Sequence, residues 1–328
     1  MIVVSGISGA LVGPLPWPIA TLPGFSQLAA AGNDWLPDLV EAALADAGRA
    51  ADDLAWRPVG VFRTGDSVSA CSLAQRWDWV GPVLGIDVEC AGGLVAFLLA
   101  ADALALRQCD IAVVVADNIA AGTAWDDGCA PLAAAAREGA ARAGAAVLVL
   151  ERAGESLRRR ARLAGGAHRR LGAAGGMVGL SVTGMVELLD HAFERASLAP
   201  ADLGYWELHA LGTPLGDAVE ISALGRVWGN AGSEDRPTRL GSHKAGFGHL
   251  ETAAGLVSLA RLLAWFERGA IPPTAWHRPF SPLLKFPPSL TMSDGDLVAG
   301  GPGSAGAAGC FALSRSGLGA VVLLAPAD

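Results

Sequence analysis

Three segments bring together residue types able to do acyl chemistry. The first is Gly85-Ile86-Asp87-Val88-Glu89-Cys90-Ala91-Gly92-Gly93-Leu94. Here an apolar strand, Leu84 to Val88, is expected to run into a long apolar helix beginning near Cys90. A thiol at a helix start meets the positive end of the helix dipole, which favours the thiolate. The small residues that follow let backbone N–H groups approach a bound carbonyl oxygen, as an oxyanion hole requires. The other reading of this segment is an ordinary buried cysteine.

The second segment is Trp206-Glu207-Leu208-His209-Ala210-Leu211-Gly212-Thr213-Pro214-Leu215-Gly216-Asp217. A short strand, Tyr205 to Leu208, ends at His209, and a tight loop leads to Asp217, expected to cap the next helix. The third is Gly241-Ser242-His243-Lys244-Ala245-Gly246-Phe247-Gly248-His249-Leu250-Glu251-Thr252. Its glycines permit close backbone approach, and a second long helix follows. A lysine near two imidazoles disfavours their protonation. Taken singly, each histidine reads also as structural. His168, His191, His243 and His277 lack such a setting and read as surface or packing residues.

The elements that must position these residues look duplicated. Residues 39–64 and 185–213 share an apolar helical pattern, then Ala-Asp-(Asp)-Leu, then a short strand. Residues 90–97 (CAGGLVAF) and 252–259 (TAAGLVSL) each open a long apolar helix with small residues in its first turn. The apolar runs 111–118 and 319–327 read as buried strands that follow. Residues 299–309 read as a loop. Two such halves, 1–155 with the nucleophile and 156–328 with both histidines, predict a duplicated α/β fold whose helix N-termini meet at a shared site.

Together the three segments resemble the active-site motifs of β-ketoacyl synthases, condensing enzymes of the thiolase fold. Asp87-Val88-Glu89-Cys90-Ala91-Gly92-Gly93-Leu94 stands where that family has D-T-A-C-S-S-S-L. His209 to Asp217 matches H-G-T-G-T-P-L-G-D. Gly241-Ser242-His243-Lys244, Gly248-His249 and Ala253-Ala254-Gly255 match G-S-x-K-x-x-x-G-H and A-A-G, and Ile271-Pro272-Pro273-Thr274 also fits. The resemblance implies a thiolase-like α/β fold of duplicated βαβαβ-type halves, with central mixed sheets sandwiched by helices. It implies that Cys90 takes an acyl group and that His209 and His249 stabilise the enolate of a malonyl-type extender as carbon dioxide leaves. Lys244 would act by charge. Thr213, Phe247, Phe311 and Leu313 would bind substrate or gate it. No cofactor is implied, the substrates riding on the phosphopantetheine of an acyl carrier protein or on coenzyme A, in fatty acid or polyketide-type biosynthesis. A homodimer, or a heterodimer with another ketosynthase-like subunit, is the implied assembly. The alternatives are acyl transfer from Cys90 without decarboxylation and a non-catalytic partner subunit.

The chain departs from the family by its shortness, with losses expected between about 15 and 80 and around 125 to 145. Ala143 stands at a family glutamate position, and Phe311 to Gly317 replaces G-F-G-G-T-N-A-H. The formal net charge of −8 over 328 residues argues against a nucleic-acid partner. The basic runs 158–162 and 168–170 read as solvated faces or as a landing site for an acidic carrier. Five scattered cysteines show no zinc spacing, so no metal and a reducing compartment are expected. Prolines at 14, 16, 18 and 23 would break any membrane span in the uncharged first 33 residues. A cytoplasmic protein is expected.

Overall fold

A computed structural model describes residues 1–12, 22–28, 35–118, 143–172, 180–269, 274, 276, 280–292 and 306–327. Cys129, His277, the prolines at 14, 16 and 18, and residues 271–273 lie outside them. The chain begins with β1 (Ile2–Val12), β2 (Phe25–Leu28), α1 (Trp35–Asp46), β3 (Val59–Thr64), α2 (Ser67–Arg76), β4 (Val83–Ile86), α3 (Gly92–Ala105), β5 (Ile111–Asn118) and β6 (Ala143–Arg152). It continues with β7 (Ala161–Arg170), α4 (Val182–Ala196), β8 (Leu203–Glu207), α5 (Pro214–Ala231), β9 (Thr238–Gly241), the short α6 (Lys244–Phe247) and α7 (Ala254–Arg268). It ends with β10 (Leu290–Met292), β11 (Ala307–Leu313) and β12 (Leu318–Pro326).

Among the described residues these strands form one sheet of 12, in the order β10-β9-β8-β11-β12-β7-β1-β6-β5-β3-β4, with β2 beside β1. The order repeats itself in mirror sense: β1, β6, β5, β3 and β4 occupy the places of β7, β12, β11, β8 and β9. Rather than separate sheets, the two sets are stitched together where β1 meets β7 at Val3–Arg162 and Val4–Ala161. The sequence pattern pairs the apolar run 319–327 with 111–118. The sheet corrects this pairing: β5 answers to β11, and β12 answers to β6.

Strand β11 is hidden in the sequence because Ala307, Ala308 and Gly309 read as loop. Their smallness serves packing, since a Cβ on Gly309 would lie 2.5 Å from the Trp206 ring.

Alternation along the strands sorts side chains into layers. Ala112, Val114 and Ala116 of β5 face a central cluster with α3 and α7, joined from the other half by Ala308, Cys310, Ala312 and Val322. Val113 and Val115 face outward, under α1 and α2. Trp206, Leu208, Val321 and Leu323 lie under α4 and α5. Helices α3 and α7 are therefore covered on both sides, and their apolar composition follows from that. Their N-terminal turns touch. A Cβ on Gly93 would meet the Leu256 nitrogen at 3.1 Å, and one on Gly255 would meet the Leu94 nitrogen at 2.9 Å. Gly93, which looked suited to a bound carbonyl, is used by helix against helix, and a Cβ on Gly92 would meet Thr64 of β3 at 3.1 Å.

The basic run 158–162 lies partly at the surface, with Arg158 and Arg159 exposed, and two of its arginines are paired. Arg158 and Arg160 both bind Asp46 at 2.6 Å, and Arg160 also meets Glu267. No described helix is long and apolar enough to cross a membrane.

Candidate functional site

Cys90 lies in a 3-10 turn, Glu89–Ala91, between β4 and α3. The matching turn of the second half, Glu251–Ala253, precedes α7. The turns are alike down to the backbone: Glu89 has φ 50° and Glu251 φ 46°, a region non-glycine residues seldom adopt. Strained backbone of this kind persists only where surrounding contacts enforce it, and it clusters at functional sites.

The Cys90 side chain is buried, and its thiol donates to Glu251 Oε2 at 3.6 Å. The Cys90 sulfur, a ring nitrogen of His249 and a carboxylate oxygen of Glu251 all lie within 4.8 Å of one another. Burial first, then the Glu251 carboxylate, push the thiol up to about 12, while Lys244 pulls the other way. The expectation that the helix start favours a resting thiolate is overturned: desolvation and a neighbouring anion outweigh it, and the resting group is a thiol.

His209 follows β8 and is wholly buried. Its backbone N–H and that of Ala210 donate to the Glu220 carboxylate at 2.7 and 2.8 Å. Lys244 Nζ donates to the His209 carbonyl. These bonds fix the backbone and leave the ring alone: neither Nδ1 nor Nε2 has a hydrogen-bond partner among the described residues. The ring stands edge-on to His249, with centroids 5.8 Å apart, and to Phe311 at 6.1 Å.

Half-buried His249 accepts the Glu251 backbone N–H on Nδ1 at 2.9 Å, so the proton of the neutral ring sits on Nε2. Burial first, then Lys244, hold both imidazoles well below the ordinary histidine value. The site thus presents two neutral imidazoles beside a buried thiol. Such rings donate to developing negative charge without first surrendering a proton.

Behind them lies a buried ionic group. Arg261, on α7, binds Glu207 at 2.8 Å, and Glu207 also bonds Tyr205 and the backbone N–H and Nδ1 of His243. His243, read from the sequence as a surface or packing residue, is fully buried here. Burial alone would raise Glu207, but Arg261 and His243 hold it down at about 2.

The remaining sequence-predicted residues are placed as follows. Phe311 joins the site through the His209 ring, and Leu313 ends β11, buried beside it in the chain. Phe247 lies in the central core. Thr213 rather than Asp217 caps α5, its Oγ1 accepting from Gly216 N–H at 3.1 Å, while Asp217 accepts from Gly212 N–H at 3.0 Å. Proline at the first helical position places the cap one residue earlier, at Thr213. Thr274 accepts from Ser242 N–H at 3.2 Å.

Sequence reasoning missed Glu251, Glu89, Glu207 and Glu220. The last two had a signal, each being a charged residue in an otherwise apolar strand or helix face.

Ala210 occupies a family glycine position with φ 44°. Ala210→Gly is expected to raise stability by about 0.5–1 kcal/mol, read from urea unfolding midpoints, because glycine accepts that backbone without strain. An unchanged or lower midpoint would count against strain there.

Comparisons with known proteins agree with this geometry. The family model for the β-ketoacyl synthase N-terminal domain matches residues 38–156, and that for the C-terminal domain matches 160–277. A phenolphthiocerol/phthiocerol polyketide synthase of Mycobacterium tuberculosis is 30% identical over 236 residues, 67% of this chain and 13% of that protein. Erythronolide synthase of Saccharopolyspora erythraea is 31% identical over 240 residues, 68% of this chain and 8% of its own length. The chain therefore spans a small part of these relatives.

Among solved structures, an oxazolomycin ketosynthase domain of Streptomyces albus (OzmH KS7) superposes with a TM-score of 0.85 at 22% identity, covering 100% of this chain and 75% of that one. A second, OzmH KS8, gives 0.80 at 25% identity, covering 99% of this chain and 95% of that one. The α/β architecture is thiolase-like. With both domain models matched in order along the chain, the chain belongs to the β-ketoacyl synthase family.

Proposed function

We propose that the protein is a ketosynthase-type condensing enzyme, acylated on Cys90, that joins the acyl group to a malonyl-type extender with loss of carbon dioxide. One observation carries the reading. His209 is a wholly buried imidazole with both ring nitrogens unpartnered among the described residues, set edge-on to His249, whose own ring nitrogen lies within 4.8 Å of the Cys90 sulfur. A buried polar group without a partner costs about 1–3 kcal/mol, and a site that receives a carbonyl oxygen repays it.

Cys90 forms the acyl-enzyme. His209 and His249, both neutral, hydrogen-bond the extender's thioester carbonyl and stabilise the enolate that decarboxylation leaves. The enolate carbon attacks the Cys90 thioester, and the 3-oxoacyl product departs as the Cys90 sulfur is released. Lys244 holds the His209 backbone and suppresses protonation of both rings.

The relatives bear polyketide synthase names, which supports polyketide assembly as the setting. An acyl carrier domain would then be the donor. A second ketosynthase-like chain, the same or different, would complete the assembly; β4, at the edge of the sheet among the described residues and with Leu84 37% exposed, supports it.

The test is intact-mass analysis after incubation with acyl thioesters, followed by addition of malonyl carrier. An acyl adduct mapped to Cys90, then carbon dioxide release and a 3-oxoacyl product, is expected. An adduct without decarboxylation would point to plain acyl transfer, and absence of any adduct would sink the enzymatic reading.

A further inference from the structure

Resting on the condensing reading above, we infer that Glu251 is the catalytic base that takes the proton from Cys90 during acylation. The hydrogen bond from the Cys90 sulfur runs to Glu251 Oε2 at 3.6 Å. The same residue's backbone N–H occupies His249 Nδ1 at 2.9 Å, so that nitrogen is not available as an acceptor. Lys244 gives its amine to the His209 carbonyl. The backbone of Glu251 is held at φ 46°, and this turns the N–H toward one catalytic group and the carboxylate toward the other. Its counterpart Glu89 has the same strained backbone but reaches away from the sulfur, accepting the backbone N–H groups of Arg315 and Ser316 at 2.6 and 3.3 Å. A thiol buried beside a carboxylate has no stable free thiolate, so its proton must leave as the new bond forms.

The step balances within the acyl exchange. As the Cys90 sulfur bonds to the carbonyl carbon of an acyl thioester, the S–H bond breaks and the proton passes to Glu251. Collapse of the tetrahedral adduct breaks the donor's C–S bond. The departing thiolate takes the proton from Glu251 and leaves as a free thiol. Nothing is oxidised or reduced.

Single-turnover acylation by a small acyl N-acetylcysteamine thioester, followed by intact mass across pH, tests this. The charged and titratable groups around this cluster are Glu89 from the first turn and Lys244 from α6, which act on Cys90, with His243, Lys244 and Arg315 acting on His249, and His209 standing edge-on to His249. Wild-type acylation is expected to be flat across the neutral range. Glu251→Gln is expected to be roughly 100-fold slower or more at neutral pH and to climb about tenfold per pH unit. Glu251→Asp should keep the flat profile.

A Glu251→Gln rate within about threefold of wild type, with the same profile, would overturn the inference while leaving Cys90 acylation intact. Wild-type protein that takes up no acyl group would overturn both. If circular dichroism shows Glu251→Gln misfolded, the wild-type profile decides: flat supports the base, and a tenfold-per-unit climb through neutrality overturns it.

Discussion

His249→Ala is expected to lower condensation about 10³-fold while Cys90 still takes up an acyl group within roughly an order of magnitude of the wild-type rate. The asymmetry follows from where charge develops. In the proposed acylation the sulfur would attack from beside Glu251, and the His249 ring would carry no part of the transferred proton. In the proposed condensation an enolate oxygen is stabilised, and His249 would offer its Nε2–H for that purpose, since Nδ1 is occupied by the Glu251 N–H. Loss of one such donor typically costs 10²–10³ in turnover. On the proposed reading His209→Ala should show the same split, its ring nitrogens having no partner among the described residues and being free to serve the same oxygen. The double variant should lose little more than either single one, as groups acting as a unit do. Acylation is read by intact mass and condensation by product formation from preloaded enzyme. Equal damage to both steps in His249→Ala would mean the ring serves the nucleophile instead.

The second large effect is on stability. Arg261→Leu is expected to destabilise the fold by about 3–5 kcal/mol, because it strands Glu207 as a buried carboxylate without its cationic partner. Both side chains are fully enclosed. The pair sits in the central helix layer, so water cannot easily replace the lost guanidinium.

The sign with pH follows from Glu207. Its carboxyl is held down at about 2, below the ordinary glutamate value of 4.5. The folded state therefore releases this proton more readily than the unfolded chain. The stability it contributes is fully present above about pH 4.5 and is lost as the pH falls through about 2. In Arg261→Leu that acid-dependent part should shrink. Urea unfolding from neutral to acid pH measures both. A loss under about 1 kcal/mol at neutral pH would show that Tyr205 and His243 suffice to hold the carboxylate.

Much of the site is legible in the sequence because its chemistry is local. Cys90, His209 and His249 each stand at the end of an element, flanked by glycines and small residues whose pattern survives in one dimension. The duplication is legible for the same reason, through its helix starts and apolar strands. Features that depend on cross-chain contact are not. Glu251 reads as a helix-start acid until the fold sets its carboxylate against a sulfur 161 residues away. The resting state of Cys90 does not follow from the helix dipole alone, because burial and that carboxylate decide it. His243 looks idle because its partner, Glu207, belongs to a neighbouring strand. Strand β11 reads in part as loop because Trp206, which demands small residues opposite, lies more than 100 positions earlier.

The paired turns at Glu89 and Glu251 lock the two halves by an exchange of anchors. Each half extends one acidic arm into the other: Glu89 grips the β11–β12 turn, and Glu251 grips the Cys90 thiol. Thr252, which stands where the first half has its cysteine, fastens back onto the carbonyl of Asp117 at 2.6 Å. Duplication therefore supplied this molecule with a brace and not a second reactive centre. Neither half alone holds Cys90, His209 and His249 together, and any relative shift of the halves must loosen the hydrogen bond between Cys90 and Glu251.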